Sequence, residues 1–184
     1  GIAAPLQNIR TVVESDPEAR VAFPGLAPLY RALQREDAKE EVNPIFYVSS
    51  SPWQLLASLN HMQQQRGLPL GTMHLRNFRL RDQLLKKVII RRQGKKSAIA
   101  DLIDHLPDRR FVLIGDSGEK DPEIYLKICR RYGDAILGVY IRDLDWRPMS
   151  DERLGALRRE LGDRPCRTFS DGASLAEIAA PVLG

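Results

Sequence analysis

Phe111-Val112-Leu113-Ile114-Gly115-Asp116-Ser117-Gly118 is the stretch whose reading decides the fold. Its four apolar residues stop abruptly on a small, polar turn, after which Ile124, Tyr125, Ile128 and Cys129 recur at helical spacing. A short run that is apolar at every position reads as a strand buried on both faces, here followed by a tight turn and an amphipathic helix. The same order occurs upstream in Ile45-Phe46-Tyr47-Val48, the turn Ser49-Ser50-Ser51-Pro52, and a helix carrying Trp53, Leu55, Leu56, Leu59 and Met62. It occurs downstream in Ala135-Ile136-Leu137-Gly138-Val139-Tyr140-Ile141, then Arg142-Asp143, then a helix near Arg153 to Leu161. Parallel strands need crossovers, and the crossovers cover the faces, so the alternation predicts an α/β fold: a doubly wound, Rossmann-like parallel sheet with helices on both faces. Ligands of such sheets bind beyond the carboxyl ends of the strands, which places the Ser49, Asp116 and Asp143 turns on one rim.

Working outward, 184 residues at 43% hydrophobic content suffice for one core, and glycine and proline fall singly rather than in linkers. One domain over residues 1–184 is expected. No apolar run approaches the ~20 residues of a membrane crossing, and no basic-then-apolar leader opens the chain. Cys129 and Cys166 are the two cysteines, far apart and in no Cys-x-x-Cys pair, which argues against a zinc ribbon or a disulfide framework and for a reducing, cytoplasmic setting. Lys+Arg 28 against Asp+Glu 24 leaves +4, a mild excess that permits an anionic partner without demanding one. The chain starts at Gly1 and enters at once on the apolar stretch from Ile2 to Leu6, so it is expected to be a slice of a longer product.

The turn Gly115-Asp116-Ser117-Gly118-Glu119-Lys120-Asp121 sets two carboxylates just past a buried strand, where hard oxygen ligands suit Mg²⁺. The competing reading is a turn and helix cap, with Asp116 or Ser117 satisfying backbone N–H groups. Ser49-Ser50-Ser51 offers hydroxyls and N–H groups at a helix start, where an anion is favoured, yet taken alone a serine N-cap is the better account of it. Lys95 and Lys96 open the helix through Ile99, Leu102 and Ile103, an unhelpful end for a cation. A phosphate-directed lysine explains this, as does a solvated charge run continuing Lys86, Lys87, Arg91 and Arg92. Leu68-Pro69-Leu70-Gly71-Thr72-Met73-His74-Leu75-Arg76 reads as a loop and short strand with His74 and Arg76 near its end. No Ser/His/Asp triad, GxGxxG fingerprint or phosphate-binding Gly-x-x-x-x-Gly-Lys loop can be assembled.

Taken together, a strand ending in serine, a lysine at a helix start and a strand ending in Gly-Asp-x-x-x-x-Asp resemble motifs two to four of the haloacid dehalogenase superfamily of phosphatases. More closely, the segments Phe46 to Trp53, Leu68 to Gly71 and Phe111 to Tyr125 resemble the catalytic domain of the actin-patch-type phosphatidate phosphatases, relatives of the lipins. Phe23-Pro24-Gly25 followed by Leu29-Tyr30-Arg31-Ala32-Leu33, and Val139-Tyr140-Ile141-Arg142-Asp143, fit the same family, so the resemblance runs from about Phe23 to Asp143.

The resemblance implies a Mg²⁺-dependent phosphatase that releases phosphate from phosphatidate or a similar phosphomonoester through an aspartyl-phosphate intermediate. Ser49 would bind the transferring phosphoryl group, Lys95 or its neighbour Lys96 would neutralise its charge, and Asp116 would hold Mg²⁺. Asp121 would ligate the metal or orient the lysine, while Ser50, Ser51, His74 and Arg76 would contact substrate. The departure is at the front. The family's nucleophile and acid/base occupy an Asp-x-Asp-x-Thr motif on the first strand, upstream of Phe-Pro-Gly, and no such motif occurs here. Asp16, the aspartate that precedes Asp37, sits in the polar turn Ser15-Asp16-Pro17-Glu18.

Two readings follow: a first strand that precedes Gly1, which is favoured, or a catalytically silent relative that binds phospholipid or nucleic acid. Arg76, Arg79, Arg81, Lys86, Lys87, Arg91 and Arg92 would form a patch facing anionic lipid at about 1 kcal/mol per cation, with the protein peripheral at a membrane. Nucleic acid is disfavoured, because no Phe, Tyr or Trp interleaves the basic run between Arg79 and Arg110. If a central strand is absent from these residues, the strands ending at Val48 and Ile114 should lie roughly 10 Å apart without pairing directly.

Overall fold

The computed structural model describes residues 25–35, 43–76, 94–171 and 174. The Phe23-Pro24 pair, the Asp16 turn, the Ile2 to Leu6 stretch and the basic residues from Arg79 to Arg92 lie outside the described residues.

Strand β3 (Phe111–Asp116), the apolar run that announces the fold, pairs in parallel with β4 (Ile136–Arg142), which pairs in parallel with β5 (Cys166–Phe169). Alternate residues face opposite ways along a strand. Leu113, Val139 and Ile141 therefore point into one core, closed by Ile99 and Ile103 of α3 (Lys95–His105), Ile128 and Cys129 of α4 (Asp121–Tyr132), and Leu157 and Leu161 of α5 (Asp151–Leu161). Val112, Ile114 and Tyr140 point the other way and, with Phe169, meet Leu29, Tyr30 and Leu33 of α1 (Leu26–Arg35). Both faces are packed on helices, which is why the apolar runs of β3 and β4 carry no polar alternation.

Strand β1 (Phe46–Pro52) pairs in parallel with β2 (Thr72–Arg76), and α2 (Leu56–Gln65) lies between them in sequence. Among the described residues β1 and β3 share no ladder: the pairings form two groups, β1-β2 and β3-β4-β5. Val48 of β1 nevertheless packs against the same core as β3. The direct β1–β3 pairing that would have excluded an intervening strand does not occur among the described residues.

Two local readings change. Ser49 to Pro52, expected as a turn, belongs to β1, which runs on to Pro52 with a register irregularity after Val48. The serines make this possible by pairing with one another: the Ser51 N–H donates to Ser49 Oγ at 3.1 Å, and Ser49 Oγ to Ser51 Oγ at 3.0 Å, which serves backbone that has left the ladder. The serine N-cap is also replaced. A 3₁₀ turn, Trp53–Leu55, intervenes before α2, and the capping positions are Pro52 and Leu55. Strand β5 is an addition to the sequence reading.

Candidate active site

The site is built where β3 ends. Ser117, fully buried just after Asp116, donates its N–H to the Arg142 carbonyl at 2.9 Å and accepts the Leu144 N–H on Oγ at 2.9 Å. One serine thereby joins the turns after β3 and β4. Asp143 Oδ1 fixes the second turn by accepting the Met149 N–H at 2.7 Å. Arg153 of α5 then clamps the first: its guanidinium donates to the carbonyls of Ser117 and Glu119 at 3.3 and 3.4 Å while pairing with Glu123 at 2.9 Å.

Asp116 Oδ1 accepts the Glu119 N–H at 3.0 Å, folding the chain back on itself and realising the turn role weighed for this residue. Asp121, the first residue of α4, is buried and has both oxygens engaged. Oδ2 accepts the Asp116 N–H at 3.3 Å, and Oδ1 accepts from Lys95 Nζ at 2.8 Å. Such closeness requires Gly115, because a Cβ there would lie 2.8 Å from Asp121 Cβ, from its Oδ2 and from Tyr125 Oη. Tyr125 Oη in turn donates to the Ile114 carbonyl at 2.8 Å; burial pushes this hydroxyl well above the usual tyrosine range, so it remains a donor.

Lys95, at the start of α3, therefore has a reason for its unhelpful position. Its ammonium sits between Asp121 and Glu119 Oε2, the latter at 2.7 Å, and the side chain is 12% exposed. Burial pulls Lys95 down, but the Asp121 charge and the hydrogen bonds to Asp121 and Glu119 outweigh it and hold the ammonium above its ordinary value. On Asp121 burial pushes the carboxyl up, and the Lys95 charge offsets that only in part. The short, charge-assisted 2.8 Å contact is that of an ionised pair. Lys96 next door is exposed.

Of these groups Lys95 and Glu119 border a cavity of about 470 Å³ that is also lined by Ser50, Lys120 and Arg147, a volume in the range of small-molecule sites, while Asp116 and Asp121 are not in the lining. Ser50 at the end of β1, the lysine and Glu119 and Lys120 of the Gly-Asp turn thus come together. Ser50 is exposed into this space, whereas Ser49 and Ser51 are half-buried and turned toward each other. His74 and Arg76 are not in the lining. The His74 ring lies 6.1 Å from that of Phe46, its Nε2 buried without a hydrogen bond, and Arg76 is the register partner of Pro52. Among the described residues no cluster of three or more His, Cys, Asp or Glu forms a ready-made metal cage.

Glu119, Lys120, Arg147 and Arg153 escaped the sequence reading as site residues. Glu119 and Lys120 lie inside the Gly115 to Asp121 turn, and their charge at its centre is the signal that could have found them. The two arginines reach the turn from 29 to 36 residues away, and no local pattern reveals such contacts.

Over residues 1–143 the chain matches the family described as phosphatidate phosphatase APP1, catalytic domain. The chain belongs to this family. The APP1 match ends at Asp143, where the likeness read from the residues ends, and reaches upstream of Phe23 to residue 1. An uncharacterized protein of Schizosaccharomyces pombe is 35% identical over 102 residues, covering 54% of this chain and 16% of that protein. Phosphatidate phosphatase APP1 of Saccharomyces cerevisiae is 31% identical over 98 residues, covering 53% of this chain and 16% of its own length. The chain thus spans only a small part of these curated relatives. No solved structure matches it.

Proposed function

We propose that this APP1-family domain hydrolyses a phosphomonoester, with phosphatidate or a similar lipid phosphate as substrate and Mg²⁺ as the metal. The observation that carries the reading is the Lys95 ammonium, charged and held at the wall of a cavity that Ser50 also lines. A phosphoryl group under in-line displacement needs its charge compensated by groups already in place, and a cation fixed in a poorly solvated setting supplies this. The two carboxylates on Lys95 divide the work. Buried Asp121 keeps the ammonium charged and aimed, while Glu119, 55% exposed, is the partner a phosphoryl oxygen would displace. Ser50 would donate its hydroxyl to a phosphoryl oxygen, with Ser49 holding the strand end in shape. Lys120 and Arg147 at the mouth would draw the anion in.

The donor set suits Mg²⁺ at Asp116, a hard carboxylate on a strand end, since this ion keeps waters and phosphate oxygens around one or two carboxylates. Bound there, Mg²⁺ would neutralise charge on the phosphoryl oxygens. Asp121, with both oxygens engaged, is better suited to orienting the lysine. The Asp-x-Asp-x-Thr nucleophile motif that the likeness implies does not occur in these 184 residues, so the roles that fall to the residues around the cavity are phosphoryl binding and charge compensation. The alternative reading is a relative that binds a lipid phosphate without turning it over.

The test is phosphate release from vesicles containing phosphatidate, with Mg²⁺ or with EDTA, by protein carrying this domain. Release that requires Mg²⁺ and falls with Lys95→Ala supports the proposal. Phosphatidate binding without release gives the second reading, and release indifferent to Lys95 overturns the site.

A further inference from the structure

The chain has two tryptophans, and the fold leaves both of them in solvent: Trp53 is 54% exposed and Trp146 is 72% exposed. Stranded large apolar groups invite a partner when they gather in one place. Trp53 follows Ser50 by three residues and Trp146 precedes Arg147 by one, and Ser50 and Arg147 line the same cavity. Leu56, 41% exposed, stands three residues past Trp53 and so on the same side of the chain where α2 begins. Leu70, the other exposed large hydrophobic among the described residues, precedes β2 and belongs to the opposite end of the parallel strands. Trp53, Leu56 and Trp146 are thus neighbours in sequence of residues at the cavity end, Trp146 resting on Gly118 of its turn, and we group them as its rim.

Trp146 has a defined seat in this exposed position. It occupies a tight turn closed by the Arg147 N–H donating to the Leu144 carbonyl at 2.9 Å. The edge of its indole rests on Gly118, where a Cβ would lie 2.5 and 2.6 Å from two ring carbons. A glycine thus seats a ring whose remainder points outward. Cations stand beside the rim: Lys95, Lys120 and Arg147 against Glu119 in the cavity lining, with Asp145 in the Trp146 turn.

We infer that this rim docks on a lipid bilayer carrying phosphomonoester headgroups. Trp53, Leu56 and Trp146 would enter the headgroup–acyl boundary, and Lys120 and Arg147 would meet the anionic headgroups. Indole suits that boundary, because it joins a large apolar ring to an N–H donor. Docking would bring the cavity mouth against the surface that displays the substrate, so the inference rests on the reading proposed above and deepens it. It adds a contact separate from the basic run expected to face lipid, whose residues from Arg79 to Arg92 lie outside the described residues.

Trp53 and Trp146 are the two tryptophans of these 184 residues, so once any tryptophan outside them is replaced by Phe their fluorescence reports the rim. The Trp53→Phe and Trp146→Phe variants each leave one reporter. With vesicles of phosphatidylcholine containing phosphatidate, both emissions should shift to the blue and be quenched by bromine placed on the acyl chains. Replacing either tryptophan by Ala should weaken vesicle partition about tenfold, the equivalent of ~1.4 kcal/mol of apolar burial. Leu70→Ala, at the far end, should leave partition unchanged. Emission that does not move with vesicles, in either single-tryptophan variant, overturns the inference; if the protein also sediments as a dimer, the rim belongs to a second copy. The readout needs no turnover: blue-shifted protein that releases no phosphate would sink the proposed activity and leave the docking surface standing.

Discussion

Gly115→Ala and Gly155→Ala make the same chemical change at two places, and the structure assigns them opposite signs. At Gly115 the new methyl would lie 2.8 Å from Asp121 Cβ, Asp121 Oδ2 and Tyr125 Oη, about an ångström inside ordinary contact. None of the three can move aside cheaply. Asp121 Cβ is fixed to the first residue of α4, its carboxylate is tied to Lys95 and the Asp116 N–H, and Tyr125 Oη is tied to the Ile114 carbonyl. Overpacking of this kind costs about 1–3 kcal/mol, and loss of the tyrosine hydrogen bond adds about 1 kcal/mol. Stiffening of the unfolded chain returns about 0.4–1 kcal/mol, leaving a net destabilisation of roughly 2 kcal/mol. At Gly155, in the middle of α5, the nearest atom to an added Cβ is Arg159 Nη1 at 3.5 Å, on a flexible side chain. There alanine should stabilise by about 0.5–1 kcal/mol through helix propensity. Urea unfolding followed by far-UV circular dichroism reads both. With a slope of about 2 kcal/mol per molar, Gly115→Ala should lower the midpoint by about 1 M and Gly155→Ala should raise it by a few tenths. Gly115→Ala should also lower phosphate release more than stability, since it displaces the carboxylate that aims Lys95. A neutral Gly115→Ala would show that α4 does not approach β3 as described, and the geometry of the site would fall with it.

The remaining expectations concern charge. Lys95→Ala should lower phosphate release at least a hundredfold against less than twofold for Lys96→Ala, because only the former ammonium is held beside the cavity; equal effects would assign both to solvated surface. Asp116→Asn should abolish Mg²⁺-dependent release while melting within about 2 °C of the parent, since the amide oxygen can still accept the Glu119 N–H; an active variant removes the metal role. Glu123 feels burial that raises its carboxyl, but its hydrogen bond and charge interaction with Arg153 prevail and hold it below the ordinary value. A depressed carboxyl stabilises the fold above its unfolded value near 4.5 and loses that contribution as pH falls through the folded value. Glu123→Gln should therefore flatten the acid limb of stability below about pH 4.5, and urea midpoints at pH 3 and pH 6 that keep the parent's difference would refute the pairing.

Burial leaves a mark on composition, and so the strands sandwiched between helices were the most legible elements. Phe111 to Ile114 has no polar residue because both of its faces pack against apolar side chains. Strand β5 carries the opposite lesson: Cys166 and Phe169 are buried, but Arg167 and Thr168 between them dilute the apolar signal to a level ordinary loops reach. The serines of 49–51 misled for a different reason, since residues that favour turns can also satisfy one another along an extended chain. At the site, Lys95 was legible as a cation at the wrong end of a helix. The choice between Lys95 and Lys96 was not, because it depends on which of two adjacent directions faces Asp121. His74 was named with the site for its chemistry alone, and its ring lies against Phe46 instead of in the cavity lining.

The contacts of Ser117 also bear on where this domain can be cut. Its hydroxyl is occupied by Leu144, the turn it opens is clamped by Arg153, Gly118 is covered by Trp146, and β4 finds its second neighbour in β5. All of these lie beyond Asp143, the last residue of the family match. A fragment ended there would keep the lysine and both aspartates and yet open the turn, bare one flank of the sheet and uncover Ile128 and Val139. The cooperative unit is thus longer than the stretch the family shares: residues past Asp143 act as a buttress on which the shared residues depend, and an expressed domain should extend at least through Phe169.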